Sequence, residues 1–280
     1  MLSIRGLSKR YMNFSVEDVT FKVPDGTVVG LIGENGAGKS TIIKSVLGAV
    51  HPDGGEILVD GMPLDKLDRS GRQKISFVLD DMGLPMELTL SMLDKVLSNI
   101  FEKWDSAKFK SLVQKFGLPE KKMLREFSKG MKMKATIAVA LSYESNLLIL
   151  DEPTSGLDPV VRDDILEMIY DYNRQNGRAA LISSHITTDL EKICDYIVYI
   201  HGGKVIFNEE KDELLSRYAI YSTDEKQLAE LDKTAVVKVL HRDYGVDILA
   251  SKEKMPQDFE YRPVSLDDIM LFYSKGESIC

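Results

Sequence analysis

Nine residues constrain this chain most: Gly33-Glu34-Asn35-Gly36-Ala37-Gly38-Lys39-Ser40-Thr41. An apolar run, Val28-Val29-Gly30-Leu31-Ile32, precedes them, and Ile42, Ile43, Val46 and Leu47 follow at helical spacing up to Gly48. The run reads as a buried strand, the spaced residues as one face of a helix, and Gly48 as its stop. A Gly-x4-Gly-Lys-Ser loop between strand and helix is built to surround phosphate. Its backbone N–H groups point into one concavity, Lys39 reaches the β- and γ-phosphates, and the Ser40 hydroxyl ligates Mg²⁺. Glycine is needed where the backbone turns tightly and approaches the anion.

A second element completes such a site. Leu147-Leu148-Ile149-Leu150 is a fully apolar strand ending in Asp151 and Glu152. Ligands of open α/β sheets bind at that C-terminal edge. There Asp151 would hold Mg²⁺ through water, and Glu152 would polarise an attacking water. Further strands are expected at Ile75 to Leu79, Ala179 to Ser183 and Tyr196 to Ile200, with a helix from about Pro159. Apolar strands alternating with helices predict an α/β fold with a mainly parallel sheet covered on both faces. A helical block from about Leu90 to Leu141, broken at Gly117-Leu118-Pro119 and near Ser128, interrupts the alternation and reads as an insert. After Gly202-Gly203 come short alternating runs at Ala219 to Tyr221, Val236 to Leu240 and Val246 to Leu249, then a helix near Leu266 to Tyr273. These read as a small α+β appendage. The expected division is 1–208, with an insert at about 81–141, and 209–280.

Charge is uneven along the 280 residues: net zero over 1–80, +4 over 81–134, −6 over 135–208 and −6 over 209–280. The overall −8 argues against broad nucleic-acid binding. The opening residues meet Arg5 too early for a signal-peptide core, and no run approaches the length of a membrane span. Cys194 and Cys280 cannot make a disulfide framework and fit a reducing compartment. Both features predict a cytosolic chain. Met82, Met86, Met92, Met123, Met131 and Met133 are half of the twelve methionines. Methionine suits helix cores and also surfaces that repack against a partner.

The motifs and their order resemble the ATP-binding subunit of a bacterial ABC transporter over about residues 1–208. Phe127-Ser128-Lys129-Gly130-Met131 resembles the family's signature sequence, with Lys129 where a glycine is usual. Ser155-Gly156-Leu157-Asp158 resembles its D-loop, His185 matches its switch histidine, and Tyr11 lies where its adenine-stacking aromatic does. The resemblance implies a P-loop NTPase core with a mixed, mainly parallel sheet. It implies that residues 33–41 and Tyr11 bind ATP, that Ser40 and Asp151 hold Mg²⁺, and that Glu152 and His185 are catalytic. Ser128, Lys129, Gly130, Met131 and Asp158 would meet the ATP of a second ATPase subunit in a head-to-tail dimer. The family's Mg²⁺-contacting glutamine is replaced within Asp80-Asp81-Met82, with Asp80 its expected counterpart and Asp81 an alternative.

By the same resemblance, ATP hydrolysis would drive a separate integral membrane permease from the cytoplasmic face of the cell membrane. The signature, the acidic loop and the appendage are most similar to exporters of peptides, antimicrobials or small cytotoxic proteins. An importer ATPase, and a soluble ABC ATPase acting on ribosomes or DNA, are the alternatives. A P-loop kinase would not need Ser128 to Met131 or Ser155 to Asp158.

Overall fold

The computed structural model describes residues 1–79, 83–174, 177–243, 245–256 and 258–277. Asp80, Asp81, Met82 and Cys280 lie outside the described residues.

The central sheet has six strands, in the spatial order Lys204–Glu210, Tyr196–His201, Val28–Ile32, Ala179–Ser184, Leu147–Asp151, Ile75–Val78. All pairings are parallel except that of Lys204–Glu210 with Tyr196–His201. The three inner strands, Val28–Ile32, Ala179–Ser184 and Leu147–Asp151, are buried at every position, the mark of a sheet covered on both faces. Each fully buried Leu, Ile or Val here contributes roughly 1.5–3 kcal/mol relative to exposure. The parallel strands run so that Ile32, Asp151 and Ser184 finish at one edge.

Two further sheets flank this one. Leu2–Arg10, Ser15–Val23, Gly54–Val59 and Met62–Pro63 form an antiparallel sheet over one face. The expectations above assigned no strands there. The register explains why: it shifts between Ile4 and Leu7 and again between Leu7 and Lys9, where Asp18 has a left-handed backbone with φ 51°. Val16 and Val19 are therefore both buried although three residues apart, and the alternation that identifies a strand is broken. The other sheet, Val236–Arg242, Gly245–Ser251, Tyr218–Thr223 and Arg262–Pro263, carries the three alternating runs expected late in the chain. Helix Leu266–Lys275 follows it.

The helical block lies between Ile75–Val78 and Leu147–Asp151 as helices Leu90–Ile100, Ser106–Lys115 and Lys129–Leu141. It has its own core, including Leu90, Leu93, Leu97, Phe109, Val113 and Leu124. Its first break, at 101–105, was not foreseen. There Phe101 stacks on Tyr143 at 4.1 Å between ring centroids, and the Asp105 carboxylate caps the next helix by accepting the Lys108 N–H at 2.8 Å. Cys194 is a buried free thiol, and burial pushes its ionisation well above the usual range.

Candidate functional site

The loop expected to surround phosphate joins strand Val28–Ile32 to helix Lys39–Val46. Two glycines show why other residues cannot replace them. A Cβ at Gly33 would stand 2.4 Å from the Ile200 carbonyl oxygen. Gly38, at φ 115°, packs against Phe14 and Val16. The loop thus turns with its backbone pressed on neighbouring strands. Lys39 is only 5% exposed, and its ammonium donates to the carbonyls of Gly33 at 2.7 Å and Glu34 at 3.3 Å. The charge is held inside the loop by the loop's own carbonyls. Ser40 and Thr41 follow Lys39 in the first turn of the helix, with Ser40 exposed.

The carboxylates at the end of Leu147–Asp151 reach this loop. Asp151 pairs in register with Ser183, whose hydroxyl donates to Asp151 Oδ1 at 2.5 Å and accepts the Glu152 N–H at 3.1 Å. Ser183 therefore fixes both acids. Glu152 has a left-handed backbone, φ 51°, which turns its side chain off the strand axis. Its Oε2 lies 2.6 Å from His185 Nδ1. A carboxylate only accepts, so Nδ1 carries the hydrogen there. Glu152 Oε1 is buried and has no hydrogen-bond partner, although the Lys39 ammonium stands 3.4 Å away. An oxygen buried without a donor beside a phosphate loop fits a water or cation arriving with a ligand. Among the described residues no three acidic, histidine or cysteine side chains gather as a metal cage.

Lys39, Asp151, Glu152 and His185 are thus brought together. Tyr11 lies at the rim, 46% exposed, its ring parallel to Phe14 at 6.4 Å, and Phe14 in turn touches the Gly38 turn. Asp80 lies outside the described residues. Ser128, Lys129, Gly130, Met131 and Asp158 are elsewhere: they line a separate cleft of about 290 Å³ with Gly156 and Leu157, in which no residue of the phosphate loop takes part. Ser128 caps helix Lys129–Leu141 by accepting the Met131 N–H at 3.3 Å, and Asp158 caps helix Pro159–Asn173. The Lys129 side chain lies across Gly156, off the helix end.

Three participants escaped the reading of the sequence. In the sequence Ser183 reads only as the end of a strand. Asp189 is fully buried, accepts the Thr154 hydroxyl at 2.6 Å and pairs with Arg162, tying the segment after Glu152 to the helix after His185. Phe14 carries no motif. A serine facing a strand-end carboxylate, or an aspartate four residues beyond the histidine, are the only signals available for the first two.

The family described as ABC transporter matches residues 16–155. A lantibiotic transport ATP-binding protein, SrtF, of Streptococcus pyogenes is 36% identical over 215 residues, 76% of this chain and 92% of that protein. The ABC transporter ATP-binding protein YtrB of Bacillus subtilis is 28% identical over 97% of both chains. A solved structure of an ATP-binding subunit of an ABC transporter superposes with a TM-score of 0.69 at 34% identity, covering 76% of this chain and 91% of its own.

Proposed function

We infer the role of this chain from the family to which it belongs, the ATP-binding subunits of ABC transporters. The chain is an ATPase of that family. We propose that it powers a separate membrane permease exporting peptides, antimicrobials or small cytotoxic proteins, and that it works from the cytoplasmic face of the membrane. The lantibiotic transport named for SrtF supports the cargo class. No helix among the described residues is long and apolar enough to cross a membrane.

One observation carries the catalytic reading: a buried lysine, a strand-end glutamate and a histidine meet at the sheet edge, with Glu152 bound to His185 and beside Lys39. In this reading residues 33–41 surround the phosphates, and Tyr11 stacks on adenine. Ser40 and Asp151 would hold Mg²⁺, which when bound would supply charge neutralisation for the transferred phosphoryl group; Asp80 would assist. Glu152 accepts a proton from the attacking water, and His185 orients Glu152 through Nδ1–H while its other ring nitrogen faces the γ-phosphate. In phosphoryl transfer, positioning and charge stabilisation do most of the work.

The separate cleft at Ser128 to Met131 and Gly156 to Asp158 supports a head-to-tail pair, in which each chain closes on the ATP of the other. Residues 1–208 would form the ATPase unit with the insert at about 81–141, and 209–280 an accessory module. Glu152→Gln tests this. It should lower hydrolysis by about 10²-fold or more, the typical reach of a positioned base, and should trap an ATP-bound dimer visible by light scattering. Adding Ser128→Arg should abolish the dimer and keep ATP binding. Parental hydrolysis by Glu152→Gln would overturn the catalytic assignment.

A further inference from the structure

Glu34, the second residue of the phosphate loop, carries a negative charge where a polyanion must bind. Its side chain is engaged from the far end of the sequence: the Ser274 hydroxyl donates to Glu34 Oε1. Ser274 stands in the last turn of helix Leu266–Lys275. The opposite end of that helix is fixed to the helix that follows His185. The Thr187 hydroxyl donates to Asp267 Oδ1 at 2.6 Å, and the Leu266 N–H donates to Glu191 Oε1 at 2.6 Å. Between these anchors Leu266, Ile269 and Phe272 are buried in the same core as Ile32, Ile197 and Tyr199. Tyr273 meets Tyr199 edge-on at 5.9 Å and Phe207 at 5.7 Å. The helix is therefore a packed brace from the His185 side of the site to the phosphate loop.

The same neighbourhood holds an unpaired donor. Tyr199 is fully buried, and its hydroxyl has no hydrogen-bond partner. Burial, followed by the charge of Glu34 and by Tyr273, pushes its ionisation up to about 12, so the hydroxyl stays neutral and able to donate.

We propose that Ser274 is a positioning residue for ATP: it holds the Glu34 carboxylate on the brace, away from the phosphates. Freed from Ser274, the carboxylate can swing beside the phosphates, where like charges repel. The proposal rests on the reading of residues 33–41 as the phosphate loop and adds a role for the C-terminal helix.

The test measures equilibrium binding of a fluorescent ATP analogue with Mg²⁺, and steady-state hydrolysis, on the full chain. Ser274→Ala should raise Kd about three- to tenfold, the net scale of one ordinary hydrogen bond lost at an exposed site, and raise KM by more than it lowers kcat. Ser274→Thr, which keeps the hydroxyl, should restore parental values. In a Glu34→Gln background the charge is gone, so Ser274→Ala should have no further effect. Parental binding by Ser274→Ala overturns the proposal, and so does an equal loss in the Glu34→Gln background, which would mark a merely structural contact. Lys39→Ala separates the two readings. If it binds normally, the phosphate-loop reading itself fails; if it loses binding while Ser274→Ala does not, only the positioning role falls.

Discussion

Lys39 and Met92 show two opposite ways of presenting a surface. Around Lys39 the charge is buried, the backbone is pinned by close glycine contacts, and the hydrogen bonds run to neighbouring carbonyls. On helix Leu90–Ile100, Met92, Val96 and Ile100 are spaced four apart and are 52%, 42% and 47% exposed. The first arrangement is rigid and polar, suited to one small anion. The second is an adaptable apolar stripe, suited to another macromolecule. The difference lies in the support. The phosphate loop hangs from a strand buried in the central sheet, whereas the stripe rides on an insert with a separate core.

The contrast breaks most sharply at Lys39. Lys39→Ala should weaken ATP binding by about 10²-fold, equivalent to about 2.8 kcal/mol, while leaving any membrane partner attached; nucleotide titration and co-purification read the two separately. Val96→Asp should do the reverse. It should cut co-purification of the permease about tenfold, as expected for a charge placed in an apolar interface, with ATP affinity within twofold of the parent. If Val96→Asp weakens ATP binding instead, the two regions are not independent and the contrast fails.

A smaller effect sharpens the insert's side. Asp94 accepts the Trp104 indole N–H at 2.8 Å and the Ser106 hydroxyl at 2.7 Å, clasping the first two helices of the insert. Burial pushes its carboxyl up, but these bonds and the Lys110 charge outweigh burial and hold its pKa below the usual range. A carboxyl with a lowered folded pKa stabilises above its unfolded value, near 4, and loses that contribution as pH falls through the folded value. Asp94→Asn should therefore cost about 1–2 kcal/mol at pH 7, with the gap from the parent closing below about pH 4. Trp104, the single tryptophan, reports it directly in urea unfolding. A gap independent of pH would assign the role to shape rather than charge.

Legibility follows range. The phosphate loop, the acids at the end of Leu147–Asp151 and the buried parallel strands could be read because each is a local pattern of apolar runs and glycines. The flanking sheet of Leu2–Arg10 and Ser15–Val23 could not, because its bulge at Asp18 spoils the alternation. The pairing of Glu34 with Ser274 spans 240 residues, and that of Thr154 with Asp189 spans 35. Such contacts depend on tertiary placement, which no local period encodes. The break at 101–105 depends on Phe101 finding Tyr143 across the insert.

The left-handed backbone of Glu152 has an evolutionary consequence. An L-residue at φ 51° costs roughly 1–2 kcal/mol that glycine does not incur. Selection for heat resistance and selection for turnover would thus pull this position apart. A library screened only for folded protein should drift toward glycine or asparagine at 152, while one screened for hydrolysis keeps glutamate and tolerates the cost. The residue proposed for the chemistry is not the one that its backbone prefers.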